Sequence, residues 1–195
     1  MLTGVVLTRN EAGQIGKCLR NLQFCDELIV VDDASTDETI KIAKQAGARV
    51  LEHELSGDYA AQRNWAISQV KSGWILFVDA DEVVLSQLAK EITAAITKVE
   101  CKGFWLTRTD FMWGKQLKHG DVGQVKLVRL SRKGAGQWVG KVHETWLIEG
   151  QVCSLKAPLQ HYPHPTMEAF LRHINQYSTL RARELKATGV KATIW

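Results

Sequence analysis

The sequence predicts an α/β fold with a mostly parallel sheet flanked by helices. Through the first hundred residues, short apolar runs alternate with stretches of helical period, which is typical of βαβ units. Three of these runs end abruptly in polar or acidic residues, as strands do at the ligand-binding edge of such sheets. From Phe104 onward, glycine-rich polar loops separate the predicted strands, which indicates a mixed or antiparallel second half.

Each element of the first half follows from its own pattern. Short apolar runs predict strands at Gly4–Leu7, Leu28–Val31 and Trp74–Val78, and a third strand in chain order is predicted at Ala48–Leu51. Apolar residues at helical spacing predict helices at about 15–22, 35–47, 59–70 and 85–99, the last of them reaching Val99. Ser35 and Glu38 have the spacing of a capping box for the second helix, and Gly47 is placed to end it.

A further helix is predicted near the C-terminal end, at about residues 166–186. Met167, Leu171 and Ile174 recur on one side of it. Basic residues lie among the other positions: Arg172, Arg181, Arg183 and Lys186. We therefore expect a basic amphipathic helix.

Composition limits the size and the location of the protein. The 195 residues, 45% hydrophobic and 24% charged, suit one domain over residues 1–195. Lys and Arg number 25 against 21 Asp and Glu, and this net charge of +4 is too small to indicate nucleic-acid binding. Four cysteines at irregular separations predict reduced thiols, and no segment has the pattern of a signal peptide or a membrane span. These features predict a cytoplasmic protein.

Acidic residues gather at the predicted strand ends. The first strand runs into Thr8-Arg9-Asn10-Glu11, the second into Asp32-Asp33 and the fourth into Asp79-Ala80-Asp81. The carboxyl ends of parallel strands share one edge of the sheet, so these carboxylates would lie close together and repel one another. A divalent cation relieves such repulsion, and Mg²⁺ or Mn²⁺ with carboxylate and phosphate ligands is the predicted cofactor.

Together these motifs resemble the family 2 glycosyltransferases of GT-A fold, which use nucleotide-sugar donors. The matching segments are Leu7–Glu11, Ile29–Asp37, Ala61–Ala66 and Trp74–Glu82. Val142-His143-Glu144 and Leu159–Tyr162 are similar to the branch that includes the lipopolysaccharide core β-1,4-glucosyltransferases. The resemblance covers nearly the whole chain. The motifs are specific when taken together, and no single motif would suffice.

The resemblance implies a donor half at about 1–100 and an acceptor half at about 101–165, followed by the C-terminal helix. It implies that Asp33 binds the base of the nucleotide and that Thr8 and Glu11 hold the nucleoside. Arg63 would bind donor phosphate, because a guanidinium matches phosphate oxygens geometrically. Asp79 would contact the ribose.

The same resemblance assigns the metal and the base. Asp81 and His161 would be metal ligands, and Glu144 would be the general base that takes the proton of the acceptor hydroxyl. His143 is the competing base, with orientation or acceptor contact as its expected role. The implied reaction is inverting transfer of a hexose, with glucose and a UDP-sugar favoured, to a lipopolysaccharide-core or lipid-linked acceptor.

Each residue alone also has a plainer interpretation. The plainer roles are helix caps or first-turn charges (Glu11, Asp33, Asp81), surface charges (Arg63, Glu144) and a packed imidazole (His161). Two other functions stay open at this point. One is a non-catalytic nucleotide-sugar or glycan-binding module. The other is a metal-dependent nucleotidyltransferase, although the glycine-rich, lysine-containing loop usual in that class does not follow the first strand.

The sequence departs from the family at three places, one of which is the unusual composition of the loop His119–Gln124 before the predicted strand Lys126–Leu130. Alanine stands at Ala34, where glycine is usual, so a turn there must avoid positive φ or accept strain. Relatives tend to continue past the position of Trp195 into a membrane-associating tail, so we interpret the sequence as a truncated chain. The basic helix would lie near anionic lipid or phosphorylated core sugar, with the enzyme at the cytoplasmic face of the inner membrane.

Overall fold

The computed structural model describes residues 1–98, 100–119, 125–141, 143–163, 166–187 and 189–190. Val99 on the predicted fourth helix and Val142 of the V-H-E motif lie outside these residues, as does Trp195. Within the described ranges, the order of elements follows the predicted change from alternating strands and helices to consecutive strands.

The first half alternates strands and helices. Its elements are β1 (Leu2–Thr8), α1 (Ile15–Asn21), β2 (Glu27–Asp32), α2 (Thr39–Gln45), β3 (Arg49–Glu52), α3 (Tyr59–Gln69), β4 (Trp74–Asp79), β5 (Glu82–Val83) and α4 (Ser86–Ala95). The second half contains β6 (Gly103–Met112), β7 (Lys115–Gln116), β8 (Val125–Arg132), β9 (Gly136–Val139), β10 (Thr145–Ile148), β11 (Val152–Ser154), β12 (Leu159–His161) and α5 (Met167–Ala187).

One large mixed sheet joins the two halves, in the order β3-β2-β1-β4-β8-β6-β12-β5. The first four strands of this order are parallel, whereas β8 is antiparallel to both β4 and β6. Thr8 pairs with Asp32, and Leu7 pairs with Asp79, so the polar strand ends meet at one edge. This confirms the predicted fold class.

Two apolar cores cover the two faces of the sheet. On one face, buried residues of α1, α2 and α4 pack against the strands, with Ile15, Leu88 and Ile92 fully buried. On the other face, α3 and the antiparallel hairpin of β9 and β10 cover Ile75 and Phe77. Burial on both faces explains why the central strands are nearly continuous apolar runs.

A β-bulge interrupts the pairing of β6 with β8. Phe104 pairs with Leu130, but the next residue, Trp105, pairs with Val128, which leaves Arg129 as the extra residue on β8. Such a bulge turns a side chain away from its usual face, and bulges are frequent beside active sites. Arg129 is accordingly buried and directed at β4, where it pairs with Asp79.

The predicted capping box is wrong. Helix α2 begins at Thr39, its N-cap residue Glu38 makes no side-chain cap hydrogen bond, and the backbone N–H of Thr39 donates to Asp37 Oδ1 at 3.0 Å. Ser35 is engaged elsewhere, because its hydroxyl donates to Asp32 and accepts from the backbone N–H of Asn10 at 2.8 Å. These contacts tie the loop after β2 to the loop after β1, a long-range role that the local spacing did not reveal.

The prediction of four reduced cysteines is also wrong. Cys101 and Cys153 form a disulfide, while Cys18 and Cys25 are free. Cys101 and Cys153 are 52 residues apart in the sequence, so no local pattern predicts that they pair. The two cysteines meet because β11 runs parallel to β6, with Cys153 paired beside Phe104.

Helix α5 occupies nearly the residues predicted for it. Met167, Leu171 and Ile174 are exposed, and Arg172 forms a salt bridge with Glu168 one turn away. Phe170 contacts the ring of Trp113 edge-on at 6.1 Å between centroids. Among the described residues, no helix has the length and apolar character needed to cross a bilayer.

Candidate active site

Arg63 is the centre of the site. It lies on α3 with only 4% of its surface exposed. Its Nε donates to Glu144 Oε1 at 2.8 Å, and its Nη2 donates to Asp79 Oδ1 at 2.9 Å. The guanidinium also lies over the ring of Trp138, 4.8 Å from the centroid. One buried cation therefore joins the predicted base to the predicted ribose contact.

Helix α3 also fixes the hairpin that carries Glu144. The Asn64 side chain donates to the carbonyl of Trp138 and accepts from its backbone N–H, each at 2.9 Å. Trp138 stacks on Trp146 of the neighbouring strand. Because Glu144 directly precedes β10, these contacts set its position relative to the sheet edge.

Asp79 lies between two arginines. Arg129 donates to its Oδ2 at 2.6 Å, opposite the bond from Arg63. Burial opposes ionisation of Asp79, but the charges of Arg129 and Arg63 outweigh it and hold the pKa of this carboxyl far below its usual range. Asp79 is therefore a carboxylate at every working pH.

Glu82 is a fully buried acid behind Asp79. Its Oε2 accepts the backbone N–H of Asp79 at 2.9 Å, and its Oε1 lies 3.6 Å from Arg129. Burial raises the pKa of Glu82 to about 6, although the charge of Arg129 opposes the shift. Glu82 fixes the backbone of the D-A-D turn.

Asp81, His161 and Asp110 form a second cluster. His161 Nε2 lies 3.2 Å from Asp81 Oδ2, and His161 Nδ1 lies 2.8 Å from Asp110 Oδ1. Burial lowers the pKa of His161, but the hydrogen bonds with Asp110 and Asp81 prevail and raise it to about 9. The pKa of Asp110 falls despite burial, because His161 and Arg108 favour its charged form.

The residues at the ends of β1 and β2 lie at the opposite end of the site from His161. Asp33 accepts from Arg9 at 2.9 Å and from the backbone N–H of Leu55 at 2.8 Å. Thr8 is buried, and its hydroxyl has no partner among the residues that the structure describes. Both side chains lie at the sheet edge where the resemblance places a nucleoside.

The pKa of Glu11 is unusually high. Desolvation is the main cause of a pKa raised to about 7, and the charge of Asp81 adds to it. The side chain accepts a weak hydrogen bond of 3.4 Å from Gln14, which acts in the opposite direction. Its interaction with Asp81 places Glu11 on the same acidic rim.

Several plainer interpretations do not hold. Neither Asp33 nor Asp81 caps a helix, because α2 and α4 have Glu38 and Leu85 at their N-cap positions. Arg63 is buried rather than solvated, and the Glu144 side chain is paired and only 14% exposed. Glu11 precedes α1 by four residues and lies outside its first turn.

Three residues of the site were missed by sequence reasoning: Glu82, Asp110 and Arg129. Arg129 had a usable signal, because a charged residue inside the apolar strand Lys126–Leu130 must find a buried partner. Asp110 had none, since its contact with His161 arises from the parallel pairing of β12 with β6.

The donor set of the second cluster fits a divalent cation. An imidazole nitrogen and a carboxylate oxygen converge from His161 and Asp81, and Asp110 orients the ring from behind, as carboxylates do around metal-binding histidines. No group of three or more metal-ligating side chains was found within the described ranges. The remaining positions would be filled by phosphate oxygens and water, as is usual for Mg²⁺.

Comparison with known proteins identifies the family. Residues 4–145 match the family described as glycosyl transferase family 2. The chain belongs to this family. Its relatives include the lipopolysaccharide core biosynthesis glycosyltransferase LpsC of Rhizobium meliloti, with 30% identity over 96% of this chain and 73% of LpsC. An uncharacterised glycosyltransferase of Rickettsia prowazekii is 27% identical over 95% of this chain and 68% of its own length.

Solved structures support the fold of this family 2 member. The S. aureus protein TarS, crystallised with UDP-GlcNAc, superposes with a TM-score of 0.65 at 18% identity, over 86% of this chain and 60% of the TarS chain. Mannosyl-3-phosphoglycerate synthase from Rubrobacter xylanophilus gives a TM-score of 0.61 at 16% identity, over 100% of this chain and 77% of that one. At these identities the likeness concerns the fold alone.

Proposed function

We propose that the chain is an inverting, metal-dependent glycosyltransferase that moves a hexose from a nucleotide-diphosphate sugar to an acceptor hydroxyl. The observation that carries the proposal is the contact chain from Glu144 through Arg63 to Asp79. It holds the candidate base at a fixed distance from the end of β4, where family 2 enzymes bind their donors. A UDP-sugar, with glucose as the sugar, is the favoured donor.

Glu144 acts as the general base. Arg63 occupies its Oε1, while its Oε2 has no hydrogen bond to any described residue. As the acceptor oxygen bonds to the anomeric carbon, Glu144 takes the hydroxyl proton and the bond from that carbon to the diphosphate breaks. The nucleoside diphosphate leaves with the bonding electrons, and attack on the opposite face inverts the anomeric configuration.

Asp81 and His161 hold the divalent cation, Mg²⁺ or Mn²⁺. When bound, this ion neutralises charge on the departing diphosphate. Thr8, Glu11 and Asp33 bind the nucleoside, with Asp33 recognising the base and Asp79 reaching the ribose. Arg63 binds two carboxylates through Nε and Nη2 and so positions Glu144 and Asp79, while its buried Nη1 has no partner among the described residues and adds positive charge near the donor phosphates.

The acceptor is a lipopolysaccharide-core or other lipid-linked glycan. Support comes from the similarity to LpsC, whose name places that protein in lipopolysaccharide core biosynthesis. Helix α5 presents exposed Leu171 and Ile174 beside basic side chains, a combination that suits peripheral contact with an anionic membrane. We therefore place the enzyme, as one domain, at the cytoplasmic face of the inner membrane.

Donor binding and transfer are tested with Glu144→Gln. Thermal shift with UDP- and GDP-sugars, with and without Mn²⁺, measures binding, because a ligand that binds only the folded form raises its stability. We expect one nucleotide sugar to stabilise both proteins to the same extent in the presence of Mn²⁺. Transfer to acceptor should fall by roughly 10²–10⁴-fold in the variant.

Glu149→Gln is the matched control, because Glu149 is an exposed acid beyond the same hairpin. This variant should keep full transfer. Unchanged transfer in Glu144→Gln would remove the base assignment. A folded enzyme that responds to no nucleotide sugar would remove the proposed function itself.

A further inference from the structure

A hollow of about 90 Å³ lies beside the candidate base. It is partly open to solvent and is bounded by β6, β8 and the β9–β10 hairpin. Its lining residues include Trp105, Lys126, Trp138, Glu144 and Trp146. This volume is less than the roughly 300–1,000 Å³ that is usual for an enclosed small-ligand site, so the hollow would hold part of a sugar ring at its open mouth. Whatever enters this hollow meets the Glu144 carboxylate.

Three tryptophans contribute to the walls of the hollow. Trp138 and Trp146 are buried and stacked with 5.2 Å between ring centroids, which makes a rigid floor. Trp105 differs from them, because 36% of its surface is exposed. Its pairing with Val128 places it on the sheet face that the hairpin covers. An exposed indole on a fixed strand offers a flat apolar surface to a sugar ring.

Of the two described cations that line the hollow, Lys126 and Arg129, one has no carboxylate partner among the described residues. Glu144 is paired with Arg63, and Asp79 is paired with both Arg63 and Arg129. Lys126 is exposed and forms no ion pair with any described carboxylate. It lies two residues from Val128 on β8 and therefore shares the face of Trp105.

We propose that this hollow binds the acceptor sugar and that Lys126 selects an acceptor bearing an anionic group, a carboxylate or a phosphate. Trp105 packs against the ring, and the Glu144 carboxylate receives the hydroxyl proton. This inference rests on the proposed function, because it assigns the acceptor to that same site. It adds two binding residues, Trp105 and Lys126, and a charge requirement for the substrate.

Three small sugars test the charge requirement by ligand-observed saturation-transfer NMR: methyl β-glucoside, glucuronate and glucose 6-phosphate. We expect at least one anionic sugar to bind about fivefold more tightly than the neutral glucoside. The Lys126→Met variant should abolish this difference while leaving the affinity for methyl β-glucoside unchanged. Preference for glucuronate or for glucose 6-phosphate identifies the anion as carboxylate or phosphate.

The aromatic contact is tested with two substitutions at one position. Trp105→Ala should weaken binding of all three sugars by about tenfold, whereas Trp105→Phe should retain most of it. For the Lys126→Met variant, the matched control is Lys98→Met, because Lys98 is an exposed lysine that follows α4 and lies outside the hollow. Circular dichroism and thermal unfolding establish that each variant is folded.

Equal binding of neutral and anionic sugars, or a preference that survives in Lys126→Met, would overturn the charge requirement. Absence of any sugar signal would overturn the acceptor hollow. In that case a thermal shift with UDP-glucose and Mn²⁺ shows whether the proposed donor function survives. The two failures are therefore distinguishable, because donor binding does not depend on Trp105 or Lys126.

Discussion

Arg63 Nε and Glu144 Oε1 lie 2.8 Å apart although 81 positions separate them in the chain. The contact links α3 to the hairpin that carries the candidate base. Because Arg63 also binds Asp79, a displacement of either carboxylate is transmitted to the other through one buried guanidinium. The positions of Asp79, the proposed donor contact, and Glu144, the proposed base, are therefore coupled through this side chain.

The first prediction concerns this coupling. Arg63→Met leaves two carboxylates without their shared cation, and we expect the free energy of unfolding to fall by about 3–5 kcal/mol. In the Arg63→Met/Glu144→Gln double variant, the loss of unfolding free energy should be smaller than the sum of the two single losses, because both substitutions remove the same interaction between Arg63 and Glu144. Urea unfolding measures all four proteins.

Arg20→Met is the control for loss of a charge, because Arg20 is an exposed arginine on α1. Its effect on unfolding should stay within about 0.5 kcal/mol. Strict additivity in the double variant would show that Arg63 and Glu144 do not interact in solution.

The second prediction concerns metal binding. Asp110 holds His161 from the side opposite Asp81, so Asp110→Asn should lower the affinity for Mn²⁺ in the presence of UDP by about 10–100-fold. Isothermal titration measures the change. Glu149→Gln, an exposed acid, should leave it unaltered. Equal Mn²⁺ affinity in Asp110→Asn and the parent protein would show that Asp110 does not support a metal ligand.

How far the sequence predicted the site depends on the range of each contact. The strand ends at Thr8, Asp33 and Asp79 followed from local apolar runs, and the parallel sheet placed them at one edge. The pairings of Arg129 and Asp110 did not follow, because one depends on a β-bulge and the other on the register of β12 with β6. Such registers are set by the whole sheet and leave no periodic signal.

The same reasoning applies to the loop after β2. Its composition suggested a helix start at Ser35, yet Ser35 binds the loop after β1 instead, and Asp37 accepts both from Ala12 of that loop and from Thr39 at the start of α2. Both roles use the hydrogen-bonding capacity that favours Ser and Asp at caps, so sequence spacing alone could not separate them. The tertiary contact prevails because it joins two segments of the site.

The third prediction concerns Ala34, which has a φ of 51°. A residue with a Cβ is strained in this left-handed conformation, and glycine is not. Ala34→Gly should therefore raise the free energy of unfolding by up to about 1 kcal/mol. Ala94→Gly, in the exposed last turn of α4, should instead lower it by up to about 1 kcal/mol. A loss of stability in Ala34→Gly equal to that in Ala94→Gly would contradict strain at this turn.

The fourth prediction concerns the disulfide. Reduction of Cys101–Cys153 should lower the free energy of unfolding by about 2–4 kcal/mol, because the open form gains conformational freedom in the unfolded chain. Thermal unfolding with and without a reductant measures the change. In Cys153→Ser, reductant should have no further effect, since Cys18 and Cys25 form no disulfide. A reductant effect of the same size in that variant would point to a different cause.

The last prediction concerns the pH dependence that Glu11 introduces. Its pKa is about 7 in the folded protein against 4.5 for an ordinary glutamate, so folding favours the protonated form. The contribution to stability is complete below pH 4.5, declines as the pH rises toward 7 and is lost above it. Glu11→Gln imitates the protonated form. Without metal, the free energy of unfolding of this variant should exceed that of the parent protein by on the order of 2 kcal/mol at pH 8, but the two should be equal at pH 4.5.

Urea unfolding at both pH values measures this difference, and Glu52→Gln, at an exposed position, is the control. A stability difference that is the same at both pH values would mean that Glu11 titrates normally and that the acidic rim does not repel it.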